Sequence, residues 1–217
     1  MFTTGALSSL EIMTKDGWDL LLPSLPGSNL YGCMVLLNST TAFLIGGVDG
    51  SESGIIYSPN TLFLNTESSS QEWVQGPTLN IGRDYHSCGR IRKDSSSHQF
   101  SVIVVGGGNK QPLKSVEILD EGASEWRNGP DLPFGIRFGS LVEDPTGGVI
   151  LVGGFSSFDN QYLQTLLRLS DAGDDAKWIE MPQKLKFGRN EHTSFLVPNN
   201  IVSCSLEQED ASRSFLN

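Results

Sequence analysis

The chain has 217 residues, 38% hydrophobic and only 18% charged, with 24 glycines. That is enough for one or two domains with a real core, and too glycine-rich and charge-poor for a coiled coil or helical bundle. Acidic residues outnumber basic ones 25 to 15, and the formal net charge of −10 excludes a surface that coats nucleic acid or anionic membrane, since both need clustered cations.

Met1 to Trp18 shows no basic stretch followed by an apolar core, so no signal peptide is expected. No apolar run approaches the roughly 18 residues of a membrane span. Three cysteines without a CxxC pair predict neither a disulfide framework nor a zinc ribbon. These features together predict a cytoplasmic chain. The first predicted elements, Ser8 to Met13 and the segment around Trp18, match the third and fourth strands of a unit whose first half is absent. Full four-stranded units are expected at 31–74, 85–127 and 138–179, another half at 192–206, and a polar tail at 207–217.

The units are read from landmarks. Trp18, Trp73, Trp126 and Trp178 recur at roughly fifty-residue intervals, each trailed by Pro and Leu. Ten or eleven residues after the last three stand Arg83, Arg137 and Arg189, and three residues further His86, Ser140 and His192. Gly46-Gly47, Gly106-Gly107 and Gly153-Gly154 each end an apolar run that reads as a buried strand. Paired glycines suit positive φ or close backbone approach. In the second full unit the strands are expected near Tyr85–Ile91, Phe100–Gly106, Ser115–Asp120 and Glu125–Asn128, with Gly, Pro, Asn, Ser and Asp between them. Four short strands in roughly fifty residues is the size of one propeller blade. No helical stripe separates them, which disfavours a parallel, doubly wound sheet.

The order apolar strand, Gly-Gly, variable loop, Ser-Val-Glu-Ile-Leu-Asp, Trp, Pro-x-Leu-Pro, Arg resembles the kelch repeat. The closest copy carries Gly106-Gly107, Ser115 to Asp120, Trp126 and Arg137. The resemblance covers residues 7–206 and implies an all-β propeller of kelch type, with three full blades and a half blade at each end. That is part of a larger ring, or a closed four-bladed ring if the last hairpin takes up the first two strands. An open arc exposes strand edges and is expected to self-associate.

Little in the chain suggests bond-making chemistry. Gly106-Gly107-Gly108-Asn109-Lys110 lacks the spacing of a phosphate-binding loop. His86 and His192 share a repeat position and read as buried histidines with backbone partners, while His98 sits in a polar hairpin tip. Cys33 and Cys88 share a slot in consecutive first strands, which reads as packing. The tyrosines at 31, 57, 85 and 162 do not assemble the copper set of galactose oxidase-like relatives. No catalytic residue, metal or cofactor is expected. Asn38-Ser39-Thr40 is a glycosylation sequon that matters only in a secreted protein.

The resemblance implies that one loop rim receives a protein or peptide partner. The candidate contacts are Arg83, Arg137 and Arg189, suited to an acidic segment, with Tyr57, Asn109, Phe134, Phe155, Phe158 and Tyr162 as specificity residues. The expected role is a non-enzymatic interaction scaffold, in ubiquitin-ligase substrate recruitment or as a cytoskeletal adaptor. The alternatives are a copper- or carbohydrate-binding propeller like galactose oxidase, or an incomplete fragment without independent activity.

Overall fold

The computed structural model describes residues 2–3, 10–21, 24–26, 30–51, 54–67, 72–94, 96, 98–156 and 158–197. Three four-stranded antiparallel sheets follow one another along the chain. Blade 1 is Cys33–Leu36, Thr41–Ile45, Thr61–Asn65 and Trp73–Gln75. Blade 2 is Ser87–Arg92, Phe100–Val105, Val116–Leu119 and Arg127–Asn128. Blade 3 is Ser140–Glu143, Val149–Val152, Thr165–Leu169 and Ile179–Lys184. Each blade pairs its strands in chain order. Strand Ser87–Arg92 packs against both Cys33–Leu36 and Ser140–Glu143, so the first strands are innermost and the blades fan about a common axis. Among the described residues there is no helix.

The fourth strand of blade 2 is shorter than the sequence predicts, because the Trp126 indole leaves the ladder and donates from Nε1 to the Pro77 carbonyl at 2.9 Å. Trp178 repeats this one blade later, to Pro130 at 2.9 Å. The fourth strand of blade 3 runs to Lys184, past the expected end at 179. Its side chains are nearly all exposed and its register shifts between Thr165 and Leu167, so backbone pairing sets its length and no apolar signal marks it.

At the N-terminus, Leu10–Thr14 and Gly17–Leu21 form a hairpin, and Phe2–Thr3 adds to Leu10–Thr14. That extra strand occupies the flank that a ring-closing hairpin would need. Residues 192–197 form no strand, and 198–217 lie outside the described residues, with most of the expected last half blade and all of the tail.

Strand alternation explains the long apolar run of blade 2. Val102 and Val104 face blade 1, with Val35, Phe43, Ile45, Leu79 and Trp126. Ile103 and Val105 face blade 3, with Ile91, Ile118, Leu151 and Leu167. Successive side chains point to opposite faces, and a sheet covered on both faces needs apolar residues at every position.

The glycine pairs join neighbouring blades. Gly47, Gly107 and Gly154 donate their N–H to Arg83, Ile136 and Arg189 carbonyls, each at 2.8 Å, on the strap that enters the next blade. Gly107 has φ of 90°, and a Cβ there would lie 2.5 Å from the Asp84 carbonyl and 2.7 Å from His86 Cβ. Only glycine fits such an approach.

Two polar links reinforce the seam between blades 1 and 2. Cys33 and Cys88 form a disulfide, with Cα atoms 5.9 Å apart. This corrects the expectation of packing alone: equal slots on adjacent innermost strands bring the two sulfurs together across the axis side. The second link is Arg83, fully buried, which corrects its assignment to the rim. It donates to Gly106 O at 2.8 Å, Ser115 O at 3.0 Å and Glu117 Oε1 at 2.6 Å. Glu117 also accepts from the Asn80 and Ile81 amides at 2.7 and 3.1 Å. Burial pulls the Arg83 pKa down from its ordinary value, and Glu117 opposes that pull. Glu117→Gln leaves a buried guanidinium without its counter-charge. It is expected to cost about 3–5 kcal/mol in urea unfolding, while the paired change Arg83→Met with Glu117→Leu costs less.

Candidate functional site

Strand direction decides which loops share an end. The turns between second and third strands, and the straps from each fourth strand to the next blade, lie together on one rim. The rim is edged by three small sheets. They are Val48–Ser51 with Gly54–Tyr57, Gly108–Asn109 with Gln111–Pro112, and Ile136–Arg137 with Phe155–Ser156 and Gln161–Tyr162.

Each strap ends on a residue forced into the left-handed region: Tyr31 at φ 60°, Tyr85 at 48°, Phe138 at 60° and Glu191 at 51°. Non-glycine residues rarely adopt it, and they persist there only when surroundings over-determine them. A relay of backbone bonds does so here. Tyr85 N donates to Tyr31 O, Phe138 N to Tyr85 O, and Glu191 N to Phe138 O, each at 3.0 Å. The rings follow the backbone. Tyr31 and Tyr85 stack with centroids 4.0 Å apart, and Tyr85 and Phe138 are 4.1 Å apart. Burial and the neighbouring Tyr31 raise the Tyr85 pKa well above its ordinary value, so its phenol is neutral. The sequence reading missed this aromatic line. Its signal is the aromatic that opens each of the three predicted full units, at Tyr31, Tyr85 and Phe138.

The relay also corrects the repeat alignment. The slot that offers its carbonyl to a glycine pair holds Arg83, Ile136 and Arg189, and the next slot holds Asp84, Arg137 and Asn190. Arg137 is therefore one position out of line with Arg83 and Arg189. The histidine slot holds His86, Gly139 and His192, with Ser140 one further on. Being out of line is what brings the Arg137 side chain to the rim.

Arg137, Phe155 and Tyr162 are direct cross-strand partners in the three-stranded sheet. The Arg137 guanidinium carbon lies 5.1 Å from the Phe138 ring centre and 5.6 Å from that of Phe155. Phe155 and Tyr162 rings are 5.8 Å apart. Such cation–ring contacts hold the guanidinium in one place. Its buried Nε finds no hydrogen-bond partner, and Arg137 makes no ion pair among the described residues. Asp84 is close enough for the Arg137 charge to lower its pKa, but burial outweighs this and raises it. Phe158, at the loop tip, is 91% exposed and Tyr162 59%. The arrangement is a fixed cation beside exposed aromatic rings.

The other rim candidates have different places. Phe134 packs against the core between blades 2 and 3, which corrects its placement on the rim. Asn109 donates from Nδ2 to Gly82 O at 2.8 Å and tethers the strap. Tyr57 is half-buried at the edge of blade 1. Arg189 is exposed and lies two residues from the end of the strap relay. Among the described residues no three His, Cys, Asp or Glu side chains converge on one point. The Gly106–Lys110 loop serves the seam: a Cβ on Gly106 would strike the Ile136 carbonyl.

Residues 101–133 match the Kelch motif. They run from the second strand of blade 2 through its strap, where the glycine pair, Glu117, Trp126 and Leu132 make the seam contacts. The fold is a β-propeller of kelch type, and one of its repeats carries the kelch motif. Among solved structures it is similar to that of YjhT, at TM-score 0.67 and 15% identity, over 87% of this chain. At that identity the likeness concerns the fold, and the chain spans 63% of the YjhT chain's length. No curated protein matches the sequence.

His86 Nε2 lies 3.1 Å from the Ile45 carbonyl, in the seam between blades 1 and 2. Burial, and then the nearby Arg83 charge, lower its pKa from 6.5 to about 3. The unfolded chain takes up this proton below 6.5, whereas the fold resists until about 3. The stability from neutral His86 is thus whole above 6.5 and lost as pH falls toward 3. Thermal melts across this window should fall less steeply for His86→Gln than for the parent. Parallel curves would show that His86 does not carry the proton linkage.

Proposed function

We propose that this kelch propeller is a binding scaffold whose rim captures a protein or peptide segment carrying a carboxylate beside an apolar side chain. Arg137 supports the reading most directly: its guanidinium lies over the Phe138 and Phe155 rings, and it makes no ion pair among the described residues, with Asp84 acting on it only at longer range. An incoming carboxylate would pair with the accessible part of this guanidinium, a charge-assisted contact that arginine favours. Phe158 and Tyr162 are exposed aromatics of the loop that begins at Phe155, and such residues commonly anchor partners. Capture needs no bond-making. Recruitment to a ubiquitin ligase or to the cytoskeleton would be two uses of such a rim, set by what the captured segment belongs to.

Selection from a displayed peptide library tests this. Bound peptides should be enriched in Asp or Glu next to an apolar residue. Arg137→Glu should weaken them by about tenfold to a hundredfold, the range for a charged hydrogen bond, with circular dichroism unchanged. Phe158→Ala should weaken them as well. Selection of the same peptides at unchanged affinity by both variants would remove the rim from the function.

A further inference from the structure

The end of the blades opposite the rim carries a second feature, independent of partner binding. The turn joining Cys33–Leu36 to Thr41–Ile45 contains Asn38-Ser39-Thr40, an Asn-x-Thr sequence with no proline at its centre. Leu37 N donates to Thr41 O at 3.0 Å and closes the hairpin. Asn38 Oδ1 accepts from Thr40 N at 2.9 Å, Thr40 Oγ1 at 3.1 Å and Thr41 N at 2.8 Å. The carboxamide oxygen thus shapes the turn. The nitrogen Nδ2 donates to no protein group among the described residues, and both Asn38 and Ser39 are exposed.

The Cys33–Cys88 disulfide bears on the same question from a different direction. It joins strands of two blades, at a sequence separation of 55. Structural disulfides of this kind form and persist in oxidising compartments, where N-glycosylation also takes place, and are rare in a reducing cytosol. The odd cysteine count points to the cytoplasm only if the cysteines stay unpaired, and Cys33 and Cys88 are paired. With the bond present, the condition under which the sequon matters is met by a separate observation.

We propose that Asn38 is an N-glycosylation site and that the chain folds in an oxidising, glycosylating compartment. In the transfer, Asn38 Nδ2 attacks the anomeric carbon of an oligosaccharide carried on a polyprenyl pyrophosphate. The C–N bond forms, the bond from that carbon to the pyrophosphate oxygen breaks, and the amide gives up one proton. No oxidation state changes in that step. The disulfide forms separately, when the two thiols pass two electrons and two protons to a disulfide oxidoreductase of the compartment. The turn lies at the far end of the strands from Arg137, so a glycan there leaves the rim open. It also stands beside Leu36, 43% exposed, and borders a groove of about 640 Å³ that Phe43, Phe63 and Phe100 line. A hydrated glycan shields this apolar end from other chains.

Two measurements test the proposal. Protein isolated from the cells that make it is alkylated and digested without reduction, then treated with peptide N-glycosidase in heavy-oxygen water. The peptide containing Asn38 should take up heavy oxygen, and the Cys33 and Cys88 peptides should run as one linked species. In addition, the full chain directed into a secretory pathway should show a glycosidase-sensitive mobility shift. Thr40→Ser retains that shift and Thr40→Ala loses it, with unchanged circular dichroism. Unmodified Asn38, or Cys33 and Cys88 both alkylated, overturns the proposal. So does a shift that survives Thr40→Ala.

Discussion

Each seam between blades is drawn close by a backbone hydrogen bond from the second glycine of a pair to the strap carbonyl of the next blade. The bond is possible only where two chains approach without a Cβ between them, which is why positive φ and glycine coincide at Gly47, Gly107 and Gly154. The approach sets what comes next. Two residues past the accepting carbonyl the strap must turn into the innermost strand, and it does so through a left-handed residue held by the preceding blade. The line of aromatic rings Tyr31, Tyr85 and Phe138 is a by-product of that turn, and the position of Arg137 depends on it.

The two complete seams fill the same slot differently. Between blades 1 and 2 the slot holds Arg83, bound to Glu117 and to two carbonyls of blade 2. Between blades 2 and 3 it holds Ile136, buried in an apolar cluster. An apolar residue therefore meets the packing requirement of this seam. The buried ion pair at the other seam brings partner-specific directions instead: Glu117 accepts from two strap amides and from one guanidinium, and only one register satisfies all three. A buried pair adds little net stability relative to apolar packing but is costly to break.

The propeller separates two chemistries by strand polarity. At the rim, the loops after the glycine pairs and the straps place a held guanidinium beside exposed aromatic rings. At the far end, the tight turns between first and second strands carry Asn38 and the apolar groove. The antiparallel ladder keeps these ends a full strand length apart, so each can meet a partner or a modification without disturbing the other.

Four-stranded units, their apolar second strands and the landmark spacing were legible in the sequence because they depend on local periodicity. Val102 to Val105 needed apolar residues on both faces, and Gly106-Gly107 needed freedom from a Cβ. Both demands are written at the positions themselves. Contacts between units were not legible in this way. Arg83 and Arg137 look alike as letters at nearly equal offsets, yet a one-residue shift buries the first against Glu117 and leaves the second on the rim. Cys33 and Cys88 looked like two equivalent packing residues, and only the fan of innermost strands shows that equivalent slots face each other. The sequence by itself determined the blade, because a blade is built from neighbours in the chain. The tertiary structure decided which side chains reach the rim and which are buried in a seam, because that depends on contacts between residues far apart in the chain.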